Sequence, residues 1–92
     1  MRTVWKYELA LIDEPQTMPM PAGATVVHVA DQKNRLCLWA EVDPDAEQEE
    51  RRFVVEGTGH PIDHDGVHVG TALQWVNGVS LVWHVYEVAD EG

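Results

Sequence analysis

The chain has 92 residues, 45% of them hydrophobic, with four Trp, one Cys and 16 acidic against six basic side chains, for a net charge of −10 at pH 7. That length provides one domain, and a lone Cys excludes an intrachain disulfide framework. The charge works against phosphate backbones and anionic bilayers, which excludes nucleic acid and membrane as ordinary partners and favours basic protein patches.

Arg2 to Ile12 alternate: Trp5, Tyr7, Leu9 and Leu11 share one face, Lys6 and Glu8 the other. Period two with aromatic and β-branched content predicts a strand, ended by Asp13-Glu14-Pro15. Met18-Pro19-Met20 predicts a short extended piece. Pro19 and Pro21 lack amide donors, which places it at a sheet edge. Pro21-Ala22-Gly23 predicts a turn. Residues 24–30 and 36–42 predict a hairpin with Lys33-Asn34 as its two-residue tip. In that register Val29 faces Leu38, Val27 faces Ala40 and Thr25 faces Val42. On the opposite side His28 faces Trp39 and Ala30 faces Cys37.

The segment from Asp43 to Arg52 has another character. Asp43 suits an N-cap, Pro44 suits the first helical position, and early acids with late Arg51 and Arg52 suit the helix dipole. Only Ala46 is apolar, so the segment predicts a helical turn or two, or an exposed loop. Residues 53–56 predict a strand with Arg51 and Arg52 at its margin, and Gly57 to Gly66 a long loop. Residues 67–76 and 79–88 flank Asn77-Gly78, a strong hairpin signal. There Leu73 faces Val82, Val69 faces Tyr86, Val67 faces Val88, Trp83 faces Ala72 and Val85 faces Gly70. Apolar residues on both faces of 79–88 predict a central strand covered on both sides. The sum is one all-β domain over residues 1–92: a small antiparallel sandwich or barrel-like meander of about six strands with at most one short helical turn. The Trp residues are expected to line its interior. Trp75, beside the hairpin tip, is the one expected outside.

His60, His64 and His68 recur every fourth residue. On a helix they would share a face and could hold zinc. Pro61 and Gly66 argue against that helix and no CxxC supports a site, so no metal and no cofactor is assigned. Gly57-x-Gly59 could let backbone amides approach an anion, but a dinucleotide loop needs a third Gly and a helix. A kink that redirects the chain accounts for it. Cys37 lies mid-strand with His28 on the facing strand; such a thiol in an acidic protein reads as inert packing. His28 and His84 read as ordinary sheet residues. Nucleophile, base and orienting group do not come together, and no enzyme is expected. The candidate binding residues are Gly57, Thr58, Gly59, His60 and Pro61, which sit in a loop, and Trp75 as an exposed anchor.

Five stretches carry a resemblance: Trp5-Lys6-Tyr7-Glu8-Leu9, Met20-Pro21-Ala22-Gly23-Ala24, Cys37-Leu38-Trp39-Ala40-x-Val42-Asp43-Pro44, Gly57-Thr58-Gly59-His60-Pro61-Ile62 and Leu81-Val82-Trp83-His84-Val85. In this order they resemble a family of short proteins encoded by bacteriophages and prophages, over nearly the whole chain. The family has no assigned activity and supplies no catalytic residues. The resemblance implies a viral accessory protein in the host cytoplasm, with Gly57–Ile62 as a hallmark segment. The expected function is non-enzymatic binding of a host protein with a basic patch. One version is an acidic decoy, which needs acids gathered on one face. The alternative is a small-ligand binder, working as a homo-oligomer, that sequesters a host signalling nucleotide with Arg35, Arg51 or Arg52 as its positive niche.

Overall fold

The computed structural model describes residues 1–89. Seven strands follow one another: β1 (Thr3–Leu9), β2 (Gln16–Pro21), β3 (Thr25–Gln32), β4 (Arg35–Val42), β5 (Gln48–Gly57), β6 (Val67–Val76) and β7 (Val79–Val88). All pair antiparallel, in a three-stranded sheet ordered β1-β4-β3 and a four-stranded sheet ordered β2-β5-β7-β6. The architecture is the expected all-β sandwich, and the described residues contain no helix.

The segment after Asp43 departs from its helical signals. Only a turn forms, closed by Ala46 N–H on the Asp43 carbonyl at 3.1 Å, and β5 begins at Gln48. The reason is what each alternative can bury. A helix here would have no apolar face, whereas the strand pairs Gln48 to Glu50 with Pro21 to Pro19 and carries Arg51 into the sandwich. β2 lies at the sheet edge, as its prolines require, and runs longer than the three residues expected.

Both hairpins keep their tips and lose part of their register. Lys33 (φ 55°), Asn34 (φ 66°), Asn77 (φ 50°) and Gly78 (φ 77°) have the paired positive φ of two-residue turns that match strand twist. Leu38 faces Val29 and Val82 faces Leu73, as predicted. Further from each tip one residue bulges out. Val27 is skipped, so Ala40 faces Val26 and Thr25 faces Glu41 instead of Val42. Val69 is skipped likewise, so Tyr86 faces His68 and Val67 faces Glu87 instead of Val88. A bulge adds one residue to one strand, and an alternation count cannot register it.

The core is mainly aliphatic around Phe53, and of the four Trp expected to line or border it only Trp83 packs against it. Leu9, Leu36, Leu38, Ala40 and Val42 of the smaller sheet meet Met20, Phe53, Val55, Ala72 and Val85 of the larger. Trp75 is 61% exposed and Trp5 39%. Trp39 lies half-buried on the outer face against His28, their rings 5.6 Å apart. An interior this thin accepts branched aliphatic side chains more readily than four indoles. β7 is central, yet only Val85 in it is buried.

Two contacts join the sheets at the β3–β6 corner. Val29 sits directly on Gly70, where an added Cβ would come within 2.3 Å of its Cγ2. Gln74, only 2% exposed, donates to Asp31 at 3.0 Å and accepts from Trp83 Nε1 at 3.0 Å. A third clamp lies toward the other end. Arg51 makes a two-pronged pair with Glu87 and donates to the Ala24 carbonyl at 2.8 Å. The Glu87 carboxylate raises the pKa of the Arg51 guanidinium further, against the opposing effect of burial.

Candidate functional site

β5 ends at Gly57, opposite Trp83 of β7. The chain then turns back: His60 N–H bonds the Gly57 carbonyl at 3.1 Å, with Gly59 at φ +89°. A four-residue turn with positive φ only at its third residue calls for Gly there. The turn lays the His60 ring over Gly57. A Cβ at Gly57 would sit 3.1 Å from His60 Cε1 and 3.4 Å from Trp83 Cζ3, so the bare backbone is what lets the imidazole settle beside the indole.

Beneath this turn is a cleft of about 490 Å³ at the end of the sandwich. Leu11, Ile12, Val55 and Trp83 give its lining apolar groups, and Asp13, Glu14 and His60 line it beside them. Two adjoining depressions share His60: one runs along Thr58 and Val82, the other along Pro61 and Asp63. The β1–β2 connection that supplies Leu11 to Glu14 is held by Gln16, whose side-chain amide takes both the N–H and the carbonyl of Ala10 at 2.9 Å. Trp83 is oriented by Gln74, and Gln74 by Asp31.

The loop residues therefore gather as a group. Gly57 and His60 line the cleft, Thr58 and Pro61 line its neighbours, and Gly59 shapes the turn. Trp75 stands apart, in a separate depression with Asn34 and Asn77 that meets the main cleft only at Leu11. Ile12, Val55, Trp83 and Gln74 escape a reading by motif. Only Trp83 had a signal of any kind, a large residue facing a glycine, Gly57, at a strand end.

The three spaced histidines go to three places. His60 caps the cleft. His64 accepts from Gly66 N–H at Nδ1 (2.9 Å), so Nε2 carries the proton that faces buried Glu56 at 3.2 Å. His68 meets Thr71 at 2.8 Å. Among the described residues no three His, Cys, Asp or Glu come close enough to hold a metal ion. His84 lies between two hydroxyls, Thr58 at 2.8 Å and Thr71 at 3.1 Å. A hydroxyl at that distance from an imidazole has the spacing of a nucleophile and its base. Among the described residues no carboxylate meets this imidazole, and its second nitrogen is taken by Thr71. Cys37 is 2% exposed, and burial pushes its thiol above the ordinary value, away from the reactive thiolate.

Fold and site together define a small two-sheet β-domain with a cleft of apolar and acidic lining at one end. The whole chain, residues 1–92, matches the family described as a domain of unknown function (DUF7352), and the protein belongs to that family. No curated protein and no solved structure matches it. No helix among the described residues is long and apolar enough to cross a membrane.

Proposed function

We propose that this is a non-enzymatic binding domain, a phage accessory protein that acts on a host protein in the bacterial cytoplasm and holds it at the cleft under His60. The make-up of the cleft carries the reading: a lining of Leu11, Ile12, Val55 and Trp83, with Asp13 and Glu14 beside them and Asp63 in the adjoining depression. An apolar side chain flanked by Lys or Arg satisfies both halves. The anchor enters the cleft and the cations meet the carboxylates, the usual division between hot spot and steering charge.

The decoy version asked for acids on a single face. Asp13, Glu14 and Asp63 sit at one end, while the Asp43–Glu47 turn sits at the other, beyond the ten residues of β5. A strand of that length spans about 30 Å. The reading adopted is therefore the local cleft. The nucleotide alternative needs a positive niche; no Lys or Arg lines the cleft or its neighbours, and Arg51 is already engaged by Glu87.

The test is capture from bacterial lysate by the immobilised protein at low and high salt, beside the Ile12→Asp variant. Ile12 is 40% exposed and stands outside the core cluster, so the variant is expected to fold, which its thermal melt checks. A host protein held by the native chain and lost by the variant supports the reading. Capture that the substitution leaves unchanged removes the cleft as the site.

A further inference from the structure

Four strands lie at sheet margins: β1 and β3 in the smaller sheet, β2 and β6 in the larger. A bare margin presents unpaired amides and carbonyls to any other strand, and folds blunt it with prolines, bulges or cover. β2 carries Pro19 and Pro21. β3 and β6 are each bulged and lie against one another through Val29 and Gly70. β1 carries only its charged side chains, Lys6 and Glu8, as a blunting device. Thr3 to Leu9 pair residue for residue with β4 on one side, without proline or bulge, and have no strand on the other side among the described residues. Val4 is 51% exposed along this margin. Gln16 occupies the Ala10 backbone groups, so the free stretch stops at Leu9.

We infer that β1 pairs antiparallel with β1 of a second copy, centred on Tyr7, joining two three-stranded sheets into one of six. The strand's own charges choose the occupant; their contacts within the chain, Lys6 to Gln32 at 2.8 Å and Arg35 to Glu8 at 2.9 Å, are both solvent-exposed and would be exchanged for contacts between the copies. Centring on Tyr7 sets Lys6 against Glu8 of the second copy, Glu8 against its Lys6, and Trp5 against its Leu9. Lys6 and Glu8 share the outward face, because Leu9 on the other face is buried in the core. Centring on Lys6 opposes Lys6 to itself, and centring on Glu8 opposes two carboxylates. Registers between residues turn core-facing side chains outward. Of these registers the one centred on Tyr7 gives two opposite-charge pairs within the strand and a self-complementary contact, the requirement for a two-fold dimer; centring on Trp5 would set Glu8 against Arg2, which lies outside β1. The surface lies on sequence and strand pairing alone and does not depend on the cleft.

Sedimentation of the native chain from micromolar to millimolar concentration at physiological salt tests it, with Lys6→Glu and Glu8→Lys. The native chain is expected to dimerise, and each variant to weaken the dimer roughly tenfold by turning both cross-strand pairs into like charges. An equimolar mixture of the two variants is expected to regain native strength, since every pair is again opposite in sign. General repulsion predicts otherwise. Glu8→Lys makes the chain less negative, so a tighter dimer from that variant overturns the inference. A native chain that stays monomeric at millimolar concentration overturns it too. Hydrogen exchange on the native chain needs no variant: the β1 amides are expected to slow as concentration rises, and exchange independent of concentration counts against the pairing.

Discussion

The β3–β4 and β6–β7 hairpins are built on one plan. Each has a two-residue tip with both φ values positive, a bulge in its first strand, and a second strand flanked on both sides. Yet five of the eight residues of β4 are buried, against one of the ten in β7. The difference lies in the side chains. β4 places Leu36, Cys37, Leu38, Ala40 and Val42 at its buried positions, and all are short enough to be covered by neighbours. β7 carries Trp83, His84, Tyr86 and Glu87, which reach past the ladder toward the cleft, Thr58, His64 and Arg51. Turn chemistry fixes how strands run, and the layer above decides what they are for. The first hairpin is flooring, and the second presents groups.

The largest expected effect breaks the joint between them. Gly70→Ala puts a methyl into Val29, and overpacking with no room to relax is expected to cost about 2–3 kcal/mol in urea unfolding. Adding Val29→Ala should return part of that loss; a double variant no more stable than Gly70→Ala alone would show that the contact is not the joint. Next comes the clamp that only the second hairpin has. Arg51→Met leaves Glu87 without its partner, at an expected cost of about 2 kcal/mol, reduced from the fully buried case because both side chains retain some exposure. Adding Glu87→Gln should recover much of it in a double-mutant cycle.

The third effect belongs to the first hairpin and its neighbour β1. Burial raises the pKa of both Tyr7 and Cys37 from ordinary values of 10.0 and 9.0, Arg51 partly opposing the shift at Tyr7. The unfolded chain then loses these protons first as pH rises. Their contribution is complete below pH 9 and declines as pH climbs through the raised values. Thermal melts should fall above that point, and less steeply in Cys37→Ala and Tyr7→Phe. The Tyr7 hydroxyl is buried with no partner among the described residues. At neutral pH Tyr7→Phe should therefore be neutral or stabilising by up to about 1 kcal/mol. The smallest effect equalises the tips: changing Lys33-Asn34 to Asn-Gly should add about 0.5 kcal/mol, because Lys tolerates its positive φ poorly.

Much of this frame is legible in the residues. The prolines of β2, the Asn77-Gly78 tip and the alternation in β1 each report a local constraint, and each was met. The bulges at Val27 and Val69 were hidden, because they answer to the meeting of two sheets rather than to their own strands. So was the start of β5 from Gln48 to Glu50, whose helix signals are genuine but weaker than a ladder with β2; Arg51 and Arg52 join the strand as expected. At the site, Gly57 to Pro61 stand out as a loop that a fold alone would not dictate. Ile12 and Val55 do not, since a cleft wall is made by whatever distant segments arrive together. Gln74 was hidden for the same reason: its amide matters only because Asp31 and Trp83 reach it from other strands.

Pro19 and Pro21 have one more result. Two of the six residues of β2 lack an amide hydrogen, which weakens any pairing with a newcomer along that margin of the larger sheet. A molecule able to recruit on only one flank stops growing after a single neighbour. The two ring residues thus tilt any assembly toward a finite one rather than an open-ended fibre.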